Sequence, residues 1–145
     1  MNEYDSLLLK NQLCFPLYAT SREVIKLYHQ QLAALDLTYT QYITMMVLWE
    51  DGEISVRDLG KKLFLDSGTL TPVLKSMESK GFLKRCRCTQ DERMVMVSLT
   101  PCGKALREKA LSIPQEMKKH VSLSPEEVLQ LYRLLYKLLG VSSPY

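Results

Sequence analysis

No apolar run in this chain reaches the roughly 20 residues that a bilayer-spanning helix needs. The opening MNEYDSLLLK has neither a basic leader nor a small-residue cleavage site. A cytoplasmic chain without membrane contact is therefore expected. Histidine is scarce, and His29 and His120 stand isolated. Cysteine is limited to Cys14, Cys86, Cys88 and Cys102. In a cytoplasmic setting these are expected as free thiols. One residue separates Cys86 from Cys88, whereas common zinc spacings have two or more, and no second Cys/His pair is suitably placed. Neither a metal site nor a cofactor is expected. Internal repeats, low-complexity segments and linkers are also lacking, so residues 1–145 read as one domain.

What is present is ordinary in bulk and uneven in distribution. The 145 residues are 46% hydrophobic and 24% charged, which suits a soluble chain with a real core. Residues 1–74 carry 6 basic and 9 acidic groups, residues 75–109 carry 9 and 4, and residues 110–145 carry 4 and 3. The net +3 thus comes from one segment, placed where a phosphate-facing surface would need it.

Periodicity and caps give a mainly helical chain with a small β-wing. A helix from Leu7 to about Leu35 carries Cys14, Leu17, Tyr18, Val24, Ile25, Tyr28, Leu32 and Leu35 at helical spacing. Pro16 either kinks it or lies in its first turn. Thr38-Tyr39-Thr40-Gln41 is a capping box for a second, apolar helix running to about Trp49. Ser55 to Asp58 caps a short third helix. A fourth ends at Lys80, and Pro72 favours a start near Thr69. Phe82–Cys88 and Met94–Leu99 read as strands around a tip at Thr89–Arg93. Thr100-Pro101 opens a helix that Pro114 breaks or kinks, and Ser124-Pro125-Glu126-Glu127 opens the last one.

The fourth helix presents Ser67, Thr69, Thr71, Lys75 and Ser76 on its outer side. Hydroxyls and a lysine of this kind contact phosphates and base edges without blocking close approach. The hairpin behind it carries Lys84, Arg85, Arg87 and Arg93. An arginine at such a tip suits a narrow minor groove. Asp91, an acid near DNA, reads as a group that orients Arg93. Helix, turn, helix and basic hairpin together make a winged helix-turn-helix for double-stranded DNA.

The segments DSGTLTPVLKSMESKGFLKR and DERMVMVSLTPCGKAL resemble the MarR family of bacterial transcriptional regulators. The resemblance implies a DNA-reading core over about 38–100. It also implies an obligate-type homodimer through helices at about 5–36 and 101–140, on a near-palindromic operator. LCFPLYATSREVIKLYHQQLAALDLTYTQYI is similar to a narrower branch, the organic hydroperoxide resistance regulators. That similarity implies a redox-sensing cysteine, Cys14, hydrogen-bonded by Tyr28 and Tyr39.

Cys14 and Tyr28 lie 14 positions apart, about 21 Å along a straight helix. Unless the helix breaks, they can meet only across a dimer. Because no cysteine follows Cys102, the expected route runs from sulfenic acid to a mixed disulfide with a low-molecular-weight thiol, or to overoxidation. The expected function is a repressor that releases its operator when a peroxide oxidises Cys14. A MarR-type regulator of a small apolar or phenolic ligand, with Cys14 inert, is the alternative. An enzyme such as a thiol peroxidase would leave the wing unexplained.

Overall fold

Pro16 decides where the first long helix starts. In the computed structural model, which describes residues 2–145, α1 runs Cys14–Leu32. Pro16 occupies its first turn, where the missing N–H would have had no helical acceptor. Short 3-10 turns at Glu3–Leu7 and Leu9–Asn11 precede it. The expected helix from Leu7 is thus replaced by one that begins at the proline's own turn. Among the described residues no helix is long and apolar enough to cross a membrane.

The chain divides into two compact units, residues 1–113 and 114–145. In the first, α2 (Tyr39–Asp51) is the hub, touching α1, α3, α4, α5 and two strands. Its capping box is closed from both sides. Gln41 N–H donates to Thr38 Oγ1 at 3.3 Å, and Thr38 N–H donates to Gln41 Oε1 at 3.1 Å. Tyr42, Met45 and Leu48 are buried along it. Each fully buried side chain of this size stabilises by about 1.5–3 kcal/mol.

The sheet has a strand that the hydrophobic pattern did not predict. β1 (Glu53–Ser55), β2 (Leu83–Arg87) and β3 (Val95–Leu99) pair antiparallel in the order β1-β3-β2, with Ile54 opposite Val97 and Arg85 opposite Val97 from the other side. Three residues are too few to show an alternation, so β1 is defined by its partner. Its last residue, Ser55, then caps α3 (Val56–Leu63) by accepting the Asp58 N–H at 3.1 Å. α4 follows at Ser67–Ser79. It starts two residues earlier than Thr69, because Asp66 Oδ1 accepts the Thr69 N–H at 2.7 Å. Pro72 is tolerated inside it, since the carbonyl it leaves without a helical donor is that of exposed Gly68. Leu70, Leu74 and Met77 of α4 are almost fully buried.

α5 (Pro101–Ala110) is capped by Thr100, whose Oγ1 accepts the Gly103 N–H at 3.0 Å. It packs on α2 and β3. A short α6 (Ile113–Lys118) begins the next segment, with Pro114 at its start. In the second unit α7 (Pro125–Leu138) is opened by a complete capping box between Ser124 and Glu127. Its stripe, Val128, Leu131, Leu134 and Leu138, is exposed. So are Leu13, Leu17, Val24 and Ile25 of the first helical region.

Candidate nucleic-acid interface and thiol site

The turn between α3 and α4 is tight because Gly60 lets the chain fold back on itself. A Cβ at Gly60 would lie 2.7 Å from the carbonyl oxygen of Leu65. Phe64 caps α3 in the left-handed region, at φ 55°, and its ring is exposed. The Asp66 carboxyl is held below its usual range by its hydrogen bonds with Thr69. It therefore stays ionised at the N-terminus of α4, where negative charge is favoured.

α4 is docked by polar bonds as well as by its leucines. Gln41 Nε2 donates to Ser76 Oγ at 3.1 Å. Lys80 Nζ donates to the Asp36 carbonyl at 2.6 Å and to Gln41 Oε1 at 3.1 Å. Glu78 takes three bonds from Arg85: the backbone N–H at 3.0 Å, Nε at 3.1 Å and Nη2 at 2.9 Å. The Arg85 bonds hold the Glu78 carboxyl below its ordinary range. Of the residues read as outward-facing, Ser67, Thr69 and Lys75 are exposed. Thr71 is half-buried and donates to the Ser67 carbonyl at 2.7 Å. Ser76 is half-buried against α2, and Arg85 is committed to Glu78, which fastens the wing to α4.

The wing tip is built around Asp91. Its Oδ1 accepts the Arg93 N–H at 3.0 Å, and its carbonyl accepts the Met94 N–H at 3.0 Å. Asp91 thus shapes the backbone that presents Arg93, and it does so through the main chain. Arg87 Nη1 donates to the Glu92 carbonyl at 2.9 Å. Arg93 is exposed. A groove of about 1310 Å³ runs between helix-turn-helix and wing, lined among others by Arg57, Ser67, Thr71, Asp91 and Arg93.

The thiol site has its parts at opposite ends of α1. Cys14 is exposed at the first helical position. Tyr28 is about one turn from the last residue of that helix, its ring 4.8 Å from Tyr39 and 5.9 Å from Tyr42. The tyrosines come together as expected, whereas Cys14 stays about 21 Å from Tyr28 along an unbroken helix. Among the described residues, neither the Tyr28 nor the Tyr39 hydroxyl has a hydrogen-bond partner within the chain. Burial pushes Tyr28, Tyr39 and Tyr42 above the usual phenol value, and Tyr28 adds to this for the other two. All three stay protonated, and Tyr28 and Tyr39 can donate.

Sequence reasoning missed Glu78, Tyr42 and the contacts that Gln41, foreseen only as a capping residue, makes with α4. Glu78 lies seven positions from its partner and Gln41 35 positions from Ser76, so no local spacing marks them. Tyr42 falls inside the apolar second helix, where no local pattern sets it apart from its neighbours.

The tyrosine cluster predicts an alkaline response. A group whose pKa is raised on folding stabilises the fold below its unfolded value, here 10.0, and that stability is lost as pH rises through the folded value. Tyr28, Tyr39 and Tyr42 are expected to ionise later than exposed tyrosines, together with loss of helical circular dichroism. Tyr28→Phe is expected to lower the midpoints of Tyr39 and Tyr42 in an NMR titration of ring-labelled protein. Unchanged midpoints would contradict the coupling.

Two helices joined by a tight turn, with a clamped antiparallel wing behind them, define a winged helix-turn-helix of the transcription-regulator class. Residues 26–110 match the family described as "Transcriptional regulator SarA/Rot". The chain is 47% identical over 138 residues, 95% of its own length and 94% of the relative's, to the organic hydroperoxide resistance transcriptional regulator of Bacillus subtilis. Reduced AbfR bound to DNA superimposes with a TM-score of 0.79 at 31% identity, covering 96% of this chain and 97% of that one. A cysteine-to-serine mutant of MarR from E. coli, complexed with operator DNA, gives a TM-score of 0.78 at 28% identity over 96% and 99% of the chains. The protein belongs to the MarR/SarA family of winged-helix transcriptional regulators, in the branch of the organic hydroperoxide resistance regulators. These relatives are regulators and not enzymes, so the peroxidase reading has no support.

Proposed function

We propose that the protein is a homodimeric repressor that binds a near-palindromic operator when Cys14 is reduced and releases it when a peroxide oxidises Cys14. The observation that carries this is the length of α1. An exposed thiol starts one unbroken helix, and the Tyr28 phenol sits near its other end, packed against the Tyr39 ring at the start of α2. They form a site only if a second chain brings its own α1 alongside. The exposed apolar side chains of α1 and α7 supply surfaces for that chain to cover.

The chemistry is a two-electron transfer. The Cys14 thiolate attacks one peroxide oxygen, the O–O bond breaks, an S–O bond forms and an alcohol leaves after taking up the thiol proton. The resulting sulfenic acid condenses with a low-molecular-weight thiol to give a mixed disulfide and water. Phenol donors from Tyr28 and Tyr39 of the opposite chain favour the thiolate. Oxidation at this junction changes the spacing of the two α4 helices, which must sit about one helical turn apart on DNA.

On the operator, Ser67, Thr69 and Lys75 face DNA directly, and Thr71 and Ser76 line the same helix. Asp91 presents Arg93 to the neighbouring groove, and Arg85 fixes the wing. The test is operator binding before and after treatment with an organic hydroperoxide. Reduced protein should bind and treated protein should not, whereas binding insensitive to the peroxide would defeat the proposal. Arg93→Ala should weaken binding and lower the slope of log affinity against log salt by about 1. An unchanged slope would remove the wing from the interface.

A further inference from the structure

The wing carries four sulfur atoms that neither DNA reading nor the Cys14 switch uses. Cys86 of β2 pairs with Met96 of β3. One step beyond the strand ends, the Cys88 N–H still donates to the Met94 carbonyl at 2.7 Å, which sets these two residues opposite each other. Side chains two apart on a strand share a face, and so do directly opposed residues. Cys86, Cys88, Met94 and Met96 therefore lie on one face of the hairpin. The other face carries Val97, fully buried in the core. On the sulfur face Cys86 and Met94 are exposed, and Cys88 and Met96 are half-buried.

We propose that this face binds one Cu(I) ion through the thiolates of Cys86 and Cys88, with the thioethers of Met94 and Met96 completing the set. Opposed Cβ atoms in such a ladder are about 4.5–5.5 Å apart, and diagonal neighbours about 7–8 Å, within reach of a methionine. The donor set selects the ion. Thiolates and thioethers are soft ligands that suit Cu(I). Zinc takes its ligands from Cys, His and carboxylates, and among the described residues no group of three or more His, Cys, Asp or Glu is gathered. The spacing that argues against zinc at Cys86 and Cys88 thus does not argue against Cu(I), because β3 supplies the remaining donors. On binding, each thiol gives up its proton and forms one S–Cu bond. Two protons are released per ion and no oxidation state changes.

The test titrates Cu(I) anaerobically into full-length protein against a chromophoric Cu(I) chelator. A Cys14→Ser/Cys102→Ser chain, whose thiols are then confined to the wing, should bind one Cu(I) per chain as tightly as wild type. Cys86→Ser/Cys88→Ser should bind none, and the single change Cys86→Ser should already weaken binding. Met94→Leu/Met96→Leu keeps the side-chain bulk, removes the thioether donors and should weaken binding. Circular dichroism confirms that each variant is folded. Full Cu(I) affinity in the double serine variant would overturn the site, and full affinity in the double leucine variant would overturn the thioether ligands.

Discussion

Cys14→Ser should bind the operator as tightly as wild type, and should keep it through an excess of organic hydroperoxide that strips the wild type from DNA. Serine differs from cysteine here by one exposed atom on the first residue of α1, so the fold and the reading heads are untouched. What is lost is the atom that can be oxidised. A hundredfold fall in wild-type affinity on oxidation corresponds to about 2.8 kcal/mol, within reach of a dimer interface that repacks around a new S–O or S–S bond. The Ser variant should change less than about twofold, well under 1 kcal/mol. Fluorescence anisotropy with a labelled operator reads both. Equal release of the two proteins by peroxide would place the sensing group elsewhere, with Cys86, Cys88 and Cys102 as the thiols left to examine.

Features legible in the sequence were those set by neighbours a few positions apart. Thr38, Ser55, Thr100 and Ser124 each announce a helix through a hydroxyl that accepts an N–H three residues on, and each does so in the structure. The wing strands were legible because Val95, Val97 and Leu99 alternate. β1 was not, since Glu53-Ile54-Ser55 becomes a strand only by pairing with Met96–Ser98. The start of α4 was misplaced because Pro72 weighs on any local reading, whereas the Asp66 cap decides the register. Distant partners were least legible. Arg85 read as a DNA contact, and Glu78 claims it. The tyrosine roles came through family resemblance, but their gathering with Tyr42 is a product of α1 crossing α2. The sulfur face of the wing emerges only when strand register sets CRC against MVM.

Gly103→Ala should be the most damaging single methyl addition in the core. A Cβ there would lie 2.0 Å from the Phe82 carbonyl oxygen and 3.1 Å from Leu99 Cδ2. The first contact is with backbone, and that backbone is held. The Phe82 carbonyl accepts the Thr100 N–H at 3.1 Å, and the Gly103 carbonyl accepts the Trp49 indole N–H at 2.9 Å. Relief therefore requires α5 to move off the sheet and away from α2. Overpacking of this kind costs about 1–3 kcal/mol and at times more, while alanine's better helix propensity returns about 1 kcal/mol. Because the obstacle is a fixed carbonyl, the gross cost is expected above that range, at about 4 kcal/mol, leaving a net loss of about 3 kcal/mol. Urea denaturation followed by circular dichroism would measure it. Gly52→Ala is the control: nothing lies within 4 Å of its added Cβ, but φ is +78° and ψ −60°, so only backbone strain of about 1–3 kcal/mol applies, without a clash. If the two variants unfold at the same urea concentration, the close approach of α5 to Phe82 is not a constraint. Phe82 immediately precedes β2, so a displaced α5 also shifts the base of the wing. The folded fraction of Gly103→Ala should then bind the operator more weakly than the equally folded Gly52→Ala, which ties the packing of one helix to the placement of Arg93.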